Sequence, residues 1–518
     1  MMKSRSCFEA IGLLFSRLRV KNKGKDHEKI GNGRVRCDFS GNRSCGNATC
    51  DLVSDTEDVF ARRPGHDNDE STFYYFNHAS QAPLSPEVQR IGIEQIQASP
   101  WHDPNPNEMA HTSQARIREL FTKLIDGGCC DDIDEPIENG EVLKATTDGS
   151  RIAILPSTAF AITLAARNII EGQRRQQRKY GNGDSYNPVS GRILVLQDQF
   201  DSAIYPWQQM CDESKGKLRL DIVEHPDENA CPSVTSNGVR SNNGQGVIDG
   251  IGAPNGGWTQ AVLQKLKSDD DHSIIAACLP PLHWSDGTLI DLEAIGAVCR
   301  HRNIPLVVDA TQAVGIMACS VRKIRPVMLA CSTHKWLRGP SGCCLAYISP
   351  EVQDDWIPLD FHGRGRDFEA GADSWDVSKN EMGPKGYPER YYADSRKFDS
   401  GGKANPFLLP MLRTAMEEVC KIDTGKAQIR LKTLMQPLFD WAVRNGHSIK
   451  LDPRAYHLIG IVLKDKTPEE MIEISKRLAE EKKIILAVRC GGFRVSSYLT
   501  NTEDDVRKLI EGLQDTVS

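Results

Sequence analysis

The chain has 518 residues, 39% hydrophobic and 26% charged, with 64 Lys and Arg against 70 Asp and Glu for a formal charge of −6. This is the composition of a globular protein long enough for two domains, not of a fibrous or low-complexity chain. It contains no apolar run of the ~20 residues that cross a bilayer, so no membrane partner is expected. The charge is uneven: residues 1–36 hold ten basic and three acidic side chains, leaving about −13 on the remainder, which argues against nucleic acid as a partner.

Residues 1–70 are polar, Gly/Asn/Ser-rich and without a sustained period, the pattern of a disordered tail. Within it FEAIGLLFSRLRV is amphipathic, with Arg17 and Arg19, and has the form of a mitochondrial or plastid targeting peptide, although Glu9 runs against that reading. Cys37, Cys45 and Cys50 lack the paired CxxC spacing of a zinc site, so no metal is expected there. The sixteen cysteines are otherwise scattered. Cys278, Cys299, Cys331, Cys343 and Cys344 fall in or beside predicted core runs, where thiols act as small hydrophobes. That usage suits a reducing, cytoplasmic setting, or an organellar one if the tail is a targeting signal.

Organised sequence begins near Tyr75. Ser85 followed by Pro86 is a helix start, with Pro at the first helical position. Short apolar runs at Ile152–Leu155, Ile193–Leu196, Ile274–Leu279, Leu306–Val308 and Val327–Ala330 read as strands buried on both faces. Helical stretches such as Phe160–Ile170 and Leu292–Arg302 lie between them. Segments 173–188 and 228–257 read as surface insertions, and 364–396 as a charged irregular region. Towards the end come a strand at Leu458–Leu463, a helix from Pro468 to Glu481, a strand pair around Ile485–Ser497 and a helix opened by Thr502 with Asp505 three on. The alternation predicts an α/β protein. Residues 71–397 would form a large domain with a mostly parallel sheet between helices, and 398–518 a smaller C-terminal α/β domain.

Asp309 ends one strand, and Lys335 follows the next by a few positions, 26 residues later. Open α/β sheets present ligand-binding side chains at that carboxyl edge. A carboxylate and an amine there suit a cofactor with a protonatable ring nitrogen and an aldehyde, namely pyridoxal 5'-phosphate (PLP). Upstream, Leu155-Pro156-Ser157-Thr158 ends a strand and opens a helix, whose free N–H groups and dipole would hold the phosphate, with Ser157 and Thr158 adding hydroxyls. His283 and Trp284, in LHWSDGT, follow another strand and are expected to line the pocket, as are Trp101 and His102.

DATQAVG followed by STHKWLRGPSG resembles the class V aminotransferase family of fold-type I PLP enzymes. The resemblance runs from about Tyr75 to the C-terminus. It implies a Schiff base on Lys335, whose freed amine takes the Cα proton of an amino-acid substrate. It also implies that Asp309 pairs with the ring nitrogen, Gln312 contacts the phenolic oxygen, and Ser332 and His334 contact the phosphate. Phe76–Leu84, with Asn77, resembles the family's N-terminal active-site loop. Phe200 stands where desulfurases stack a histidine, as an aromatic does in kynureninase-like relatives; a phenyl ring can stack but cannot carry a proton. FDSGGKAN resembles a loop reaching the neighbouring subunit's phosphate, which implies a homodimer and a role for Lys403, although Gly402 and Lys403 replace the usual Thr-Pro. GFRVS resembles the segment whose arginine, here Arg494, binds the α-carboxylate.

Cys490 lies four positions before Arg494, where desulfurases carry a long loop with a nucleophilic cysteine; the loop is missing. These features resemble most the isopenicillin-epimerase-like and hercynylcysteine-sulfoxide-lyase-like branch. C–S lyase or transaminase chemistry is expected. A desulfurase using Cys490, an amino-acid epimerase and a non-catalytic scaffold stand as alternatives.

Overall fold

A computed structural model of the chain describes residues 73–98, 108–126, 149–180, 189–226, 257–367, 390–401, 405–450 and 453–517. All lie in one unit, Asp55–Ser518. The proposed targeting segment, the cysteines of the tail, Trp101, His102 and Lys403 lie outside the described residues.

The strands in chain order are β1 (Tyr74–Tyr75), β2 (Ile152–Leu155), β3 (Gly191–Leu196), β4 (Leu218–Val223), β5 (Ile274–Leu279), β6 (Leu306–Asp309) and β7 (Met328–Ser332). They continue with β8 (Cys344–Ile348), β9 (Ser448–Ile449), β10 (Leu458–Val462), β11 (Ile484–Ile485), β12 (Ala487–Arg489) and β13 (Gly492–Ser496). The main sheet has the order β2-β8-β7-β6-β5-β3-β4. It is parallel from β7 through β4, while β8 runs antiparallel to both neighbours.

Continuous apolar runs make these strands because the sheet is buried on both sides. Side chains alternate between two hydrophobic cores: Leu306 and Val308 enter one, Val307 the other. Leu329 and Cys331 oppose Met328 and Ala330 in the same way, as Ala277 and Leu279 oppose Ala276 and Cys278. With a strand period of two, every residue of such a run meets apolar surface, worth about 1.5–3 kcal/mol for each fully buried Val, Leu or Ile. The helices are capped as their sequences foretell. Ser85 Oγ accepts from Val88 N–H at 3.2 Å, and Asp291 Oδ1 accepts from Ala294 N–H at 2.9 Å. Thr502 and Asp505 form reciprocal bonds of 2.9 and 3.2 Å.

The smaller sheet, β12-β13-β10-β9, is antiparallel. Its core draws on helices Thr424–Arg444, Pro468–Lys482 and Glu503–Val517. The segments divide differently from the sequence expectation. The first described strand, β1, pairs with β11, and Phe76 enters the smaller core. Helix Leu408–Val419, expected in the C-terminal domain, gives Leu409, Leu412, Met416 and Val419 to the large core. Chain order does not decide which apolar face finds which partner.

Other departures are local. The helix expected over Phe160–Ile170 spans Thr158–Tyr180, so the first half of the 173–188 insertion is helical. Its Arg, Gln and Lys residues favour helix over loop, and Gln176 and Gln177 are exposed. β4 was not foreseen because it is an edge strand with polar Arg219 and Asp221 among its residues. Residues 181–188 and 227–256 lie outside the described residues.

One turn joins the two sheets. Gly287 has φ +81°, and a β-carbon there would lie 2.0 Å from the Leu458 carbonyl oxygen on β10. Its carbonyl also accepts from Ala455 N–H at 2.8 Å. Gly287→Ala is therefore expected to destabilise the fold by about 2 kcal/mol or more, from left-handed backbone strain plus displacement of β10. A urea midpoint within error of wild type would contradict this.

Candidate functional site

The carboxyl ends of the parallel strands converge on a cavity of about 350 Å³, the size class of small-molecule sites. β6 delivers Asp309, β7 delivers Ser332 and then Lys335, β3 leads into Gln199 and Phe200, and β5 leads to Trp284. Helix Thr158–Tyr180 opens on its wall, and Arg489 and Arg494 come from the β12–β13 hairpin.

Asp309 is the one acid among the described lining residues. Its Oδ1 accepts from Thr311 N–H at 3.1 Å. Burial pushes its carboxyl above the usual range, opposed by the Thr311 bonds and by Lys335. A cationic ring nitrogen would hold it ionised. Lys335 Nζ lies 5.0 Å from the centre of the Phe200 ring. Burial, and then the charge of Arg494, lower its amine to about 8.

The depressed amine sets a pH dependence. At pH 7.5 a group titrating near 8 is about one-quarter neutral, against roughly a thousandth for an ordinary lysine. Uptake of PLP by the cofactor-free protein is expected to accelerate up to about pH 8 and then level. A stopped-flow profile still climbing at pH 10 would mean an unperturbed amine. Stability moves in the same direction: the unfolded chain keeps this proton up to about 10.5, so folding gains as pH rises from about 8 to 10.5.

The end of the cavity at which the sequence led us to expect the phosphate is built of hydroxyls. Thr158 Oγ1 lies 2.7 Å from Ser332 Oγ and 3.5 Å from Thr311 Oγ1. Ser332 N–H donates to Thr311 Oγ1 at 3.2 Å. Ser157 Oγ caps the helix, accepting from Phe160 N–H at 3.1 Å. His334 is on the wall, but burial and Lys335 lower its imidazole to about 4, leaving it neutral. Among the described residues this end is thus uncharged and would offer an anion hydroxyls and a helix N-terminus.

Around the ring position, Gln199 Oε1 accepts from Leu196 N–H at 2.9 Å and its Nε2 donates to the Cys278 carbonyl at 3.0 Å. It thereby ties β3 to β5 and fixes the adjoining Phe200. Gln312 Nε2 donates to the Ala79 carbonyl at 3.1 Å, while its Oε1 accepts from Trp336 Nε1 at 2.8 Å. One amide N–H of Gln312 is left for a ligand. These residues fit PLP: a buried acid, a buried amine, an aromatic wall and a hydroxyl-lined helix end share one cavity.

Arg494 is 2% exposed. Its Nη2 donates to Ser80 Oγ at 2.5 Å and its Nη1 to the Trp284 carbonyl at 3.4 Å; the guanidinium lies 5.5 Å from the Trp284 ring centre. Nε has no partner, and no carboxylate among the described residues forms an ion pair with Arg494. Burial, with Arg489 adding repulsion, lowers it to about 9. A buried cation in this condition suits an anionic ligand, which would compensate its charge.

Two expected residues are not on the wall. His283 is fully buried, 2.8 Å from Ser285 Oγ and 3.3 Å from the Gln197 carbonyl, and stacks on Trp258 with centroids 5.3 Å apart. The chain turns here, with Gly287 N–H donating to the His283 carbonyl at 2.9 Å, and only Trp284 of the pair lines the cavity. Asn77 bridges to Ser496 on β13, and the same loop instead brings Ala79 and Ser80 to the cavity. Ser80, Gln199 and Thr311 were within recognised motifs but were not singled out. Arg489 fell within the expected strand pair around Ile485–Ser497 but was not singled out.

Cys490 (φ 48°) and Gly491 (φ 77°) form the two-residue turn between β12 and β13, closed by the Arg489–Gly492 pair. Both left-handed conformations make this a type I′ hairpin. Partial burial and Asp198 raise the Cys490 thiol.

The aminotransferase class-V family profile matches residues 262–385, the stretch carrying Asp309 and Lys335. An uncharacterized aminotransferase of Bacillus subtilis is 23% identical over 251 residues, 48% of this chain and 61% of that protein. A cysteine desulfurase of Haemophilus ducreyi is 28% identical over 225 residues, 38% of this chain and 52% of that one. The chain thus spans between half and two thirds of the length of the curated relatives it matches first. A solved structure of the cystine C-S lyase C-DES superposes with a TM-score of 0.62 at 15% identity, covering 86% of this chain and 98% of that one. These likenesses support the class V family, and the structural one shows the fold to be that of fold-type I enzymes.

Proposed function

We propose that this protein is a PLP-dependent enzyme of the class V aminotransferase type, acting on an α-amino acid by C–S lyase or transaminase chemistry. The observation that carries the reading is one cavity holding Asp309, Lys335 and the uncompensated guanidinium of Arg494. Bound there, PLP would supply an aldehyde for the substrate amine and a protonated ring that draws electrons from Cα. Asp309 keeps the ring nitrogen protonated. Lys335 takes and returns the Cα proton, its lowered basicity placing the neutral amine within physiological reach. Arg494, held by Ser80 and the Trp284 carbonyl, fixes the substrate carboxylate and so the orientation of Cα. Phe200 covers the cavity without offering a proton. The loop resemblance around Lys403 supports a homodimer, and the unpaired buried cysteines support a cytoplasmic setting. No helix among the described residues is long and apolar enough to cross a membrane.

The desulfurase reading is favoured by the named relatives and opposed by the place of Cys490. A two-residue hairpin turn gives its sulfur no swinging loop, and a raised pKa leaves it a poor nucleophile. The deciding experiment adds PLP to the protein and follows the visible band and products with a panel of amino acids. Sulfide with a keto acid supports lyase action, and conversion of the cofactor to its amine form supports transamination. Sulfide release that vanishes in Cys490→Ser would establish the desulfurase; racemised substrate alone would establish the epimerase. A protein that takes up no PLP would make the chain a scaffold.

A further inference from the structure

We infer that the buried Arg118–Asp399 ion pair is a positioning device for the anion-binding end of the cavity, holding β2 so that the helix start at Ser157 and Thr158 receives the cofactor's phosphate. This rests on the reading of the cavity given above and adds to it two residues that are not on its wall.

The first ground is what the pair is bonded to. β2 is an edge strand of the main sheet, with β8 as its one strand neighbour among the described residues. The backbone groups on its other edge need partners from elsewhere. Asp399 Oδ1 accepts from Ile154 N–H at 2.9 Å, and Ser400 N–H donates to the Ile154 carbonyl at 3.0 Å. Arg118, on helix Glu108–Ile125, donates through Nη1 to the Ile152 carbonyl and through Nη2 to Asp399 Oδ2. The two side chains are 7% and 16% exposed. The Ile152 carbonyl and both backbone groups of Ile154 thus end on this pair or on the residue after it.

The second ground is how short the path to the cavity is. Only Leu155 and Pro156 lie between Ile154 and Ser157, and the proline ring fixes one of the few torsions in that link. Thr158 then opens its helix, with its Oγ1 2.7 Å from Ser332 Oγ and 3.5 Å from Thr311 Oγ1. A displacement of Ile154 therefore reaches the N–H groups and hydroxyls that would meet the phosphate. Such donors act together only when held to within about 0.5 Å of the productive geometry. β8 fixes β2 from one side, and the ion pair fixes it from the other.

Pyridoxal, which keeps the ring and aldehyde of PLP and lacks its phosphate, separates this from a general structural role and from turnover. Each compound is titrated into the cofactor-free full chain and followed by the visible band. Asp399→Asn offers one oxygen where the carboxylate offers two, so Ile154 N–H and Arg118 no longer have separate acceptors. It is expected to weaken PLP by about tenfold or more and pyridoxal by less than about twofold. Arg118→Gln should act in the same direction, and Arg118→Lys, a milder change that guards against loss of fold, should fall between it and wild type. An effect of charge alone would instead move Asp399→Asn and Arg118→Gln oppositely, because one removes a negative and the other a positive charge. In a Thr158→Val background the Asp399→Asn loss should be smaller than in wild type. Equal weakening of PLP and pyridoxal, opposite movement of the two variants, full additivity with Thr158→Val, or unchanged PLP affinity would each overturn the inference. A wild type that takes up neither compound would overturn the reading of the site itself, and is seen before any variant is made.

Discussion

Lys335→Ala is expected to fold, to bind PLP without a covalent link, and to lose at least about 10³-fold in turnover. The side chain is buried and its amine is destabilised as a cation by its surroundings. Removing it relieves an electrostatic penalty, so loss of function would not stem from loss of structure. Borohydride reduction should fix the cofactor to the wild-type chain, on the peptide containing Lys335, and leave the variant unlabelled. Equal labelling of both would move the reactive amine elsewhere and dissolve the proposed function. A variant that melts well below wild type would mean that the amine has a structural partner the geometry does not show.

The second large effect is expected from Asp309→Asn. The amide keeps the shape of the carboxylate and its oxygen can still accept from Thr311 N–H. What disappears is the negative charge that, on the proposed function, would keep a ring nitrogen protonated. Turnover should fall by about 10²-fold or more while the visible band still forms. Stability should move the other way in the cofactor-free protein. Burial raises the carboxyl of Asp309, so the folded state holds its proton above the pH at which the unfolded state gives it up. Stability contributed at this position therefore falls as pH rises through that window and stays low at neutrality. The asparagine variant has no such penalty and should melt at or above wild type at pH 7. Retained activity would show that the ring nitrogen needs no anionic partner in this protein.

How much of the site was legible depended on whether local pattern and distant contact agreed. Asp309 and Lys335 were readable because Asp309 ends and Lys335 follows a run of buried apolar strand residues, so the run itself marks where the edge begins, whereas Ser332 rested on the family resemblance. Ser157 and Thr158 were readable because a helix start has its own signature. His283 was misplaced because a motif gives adjacency but not direction, and the turn that begins at this residue leaves only Trp284 on the cavity wall. Asn77 was misplaced for a related reason: its backbone pairs with β13, 419 residues downstream, and this pairing turns Ser80 rather than Asn77 to Arg494. The helix Leu408–Val419 joined the large core because its apolar face meets Ile117, Leu120 and Phe121 there, a match invisible in either segment alone.

By itself the sequence determined the α/β class, the main buried strands, and the acid and amine at their carboxyl edge. Those follow from periodicity and from burial on both faces, which are local constraints. Only the tertiary structure decided that Arg489 stands beside Arg494, that Cys490 is held in a two-residue turn, and that Ala79 and Ser80 reach the cavity. These depend on strand register and on pairing between distant parts of the chain. Register is set by the fit of apolar faces during packing, so no single segment encodes it.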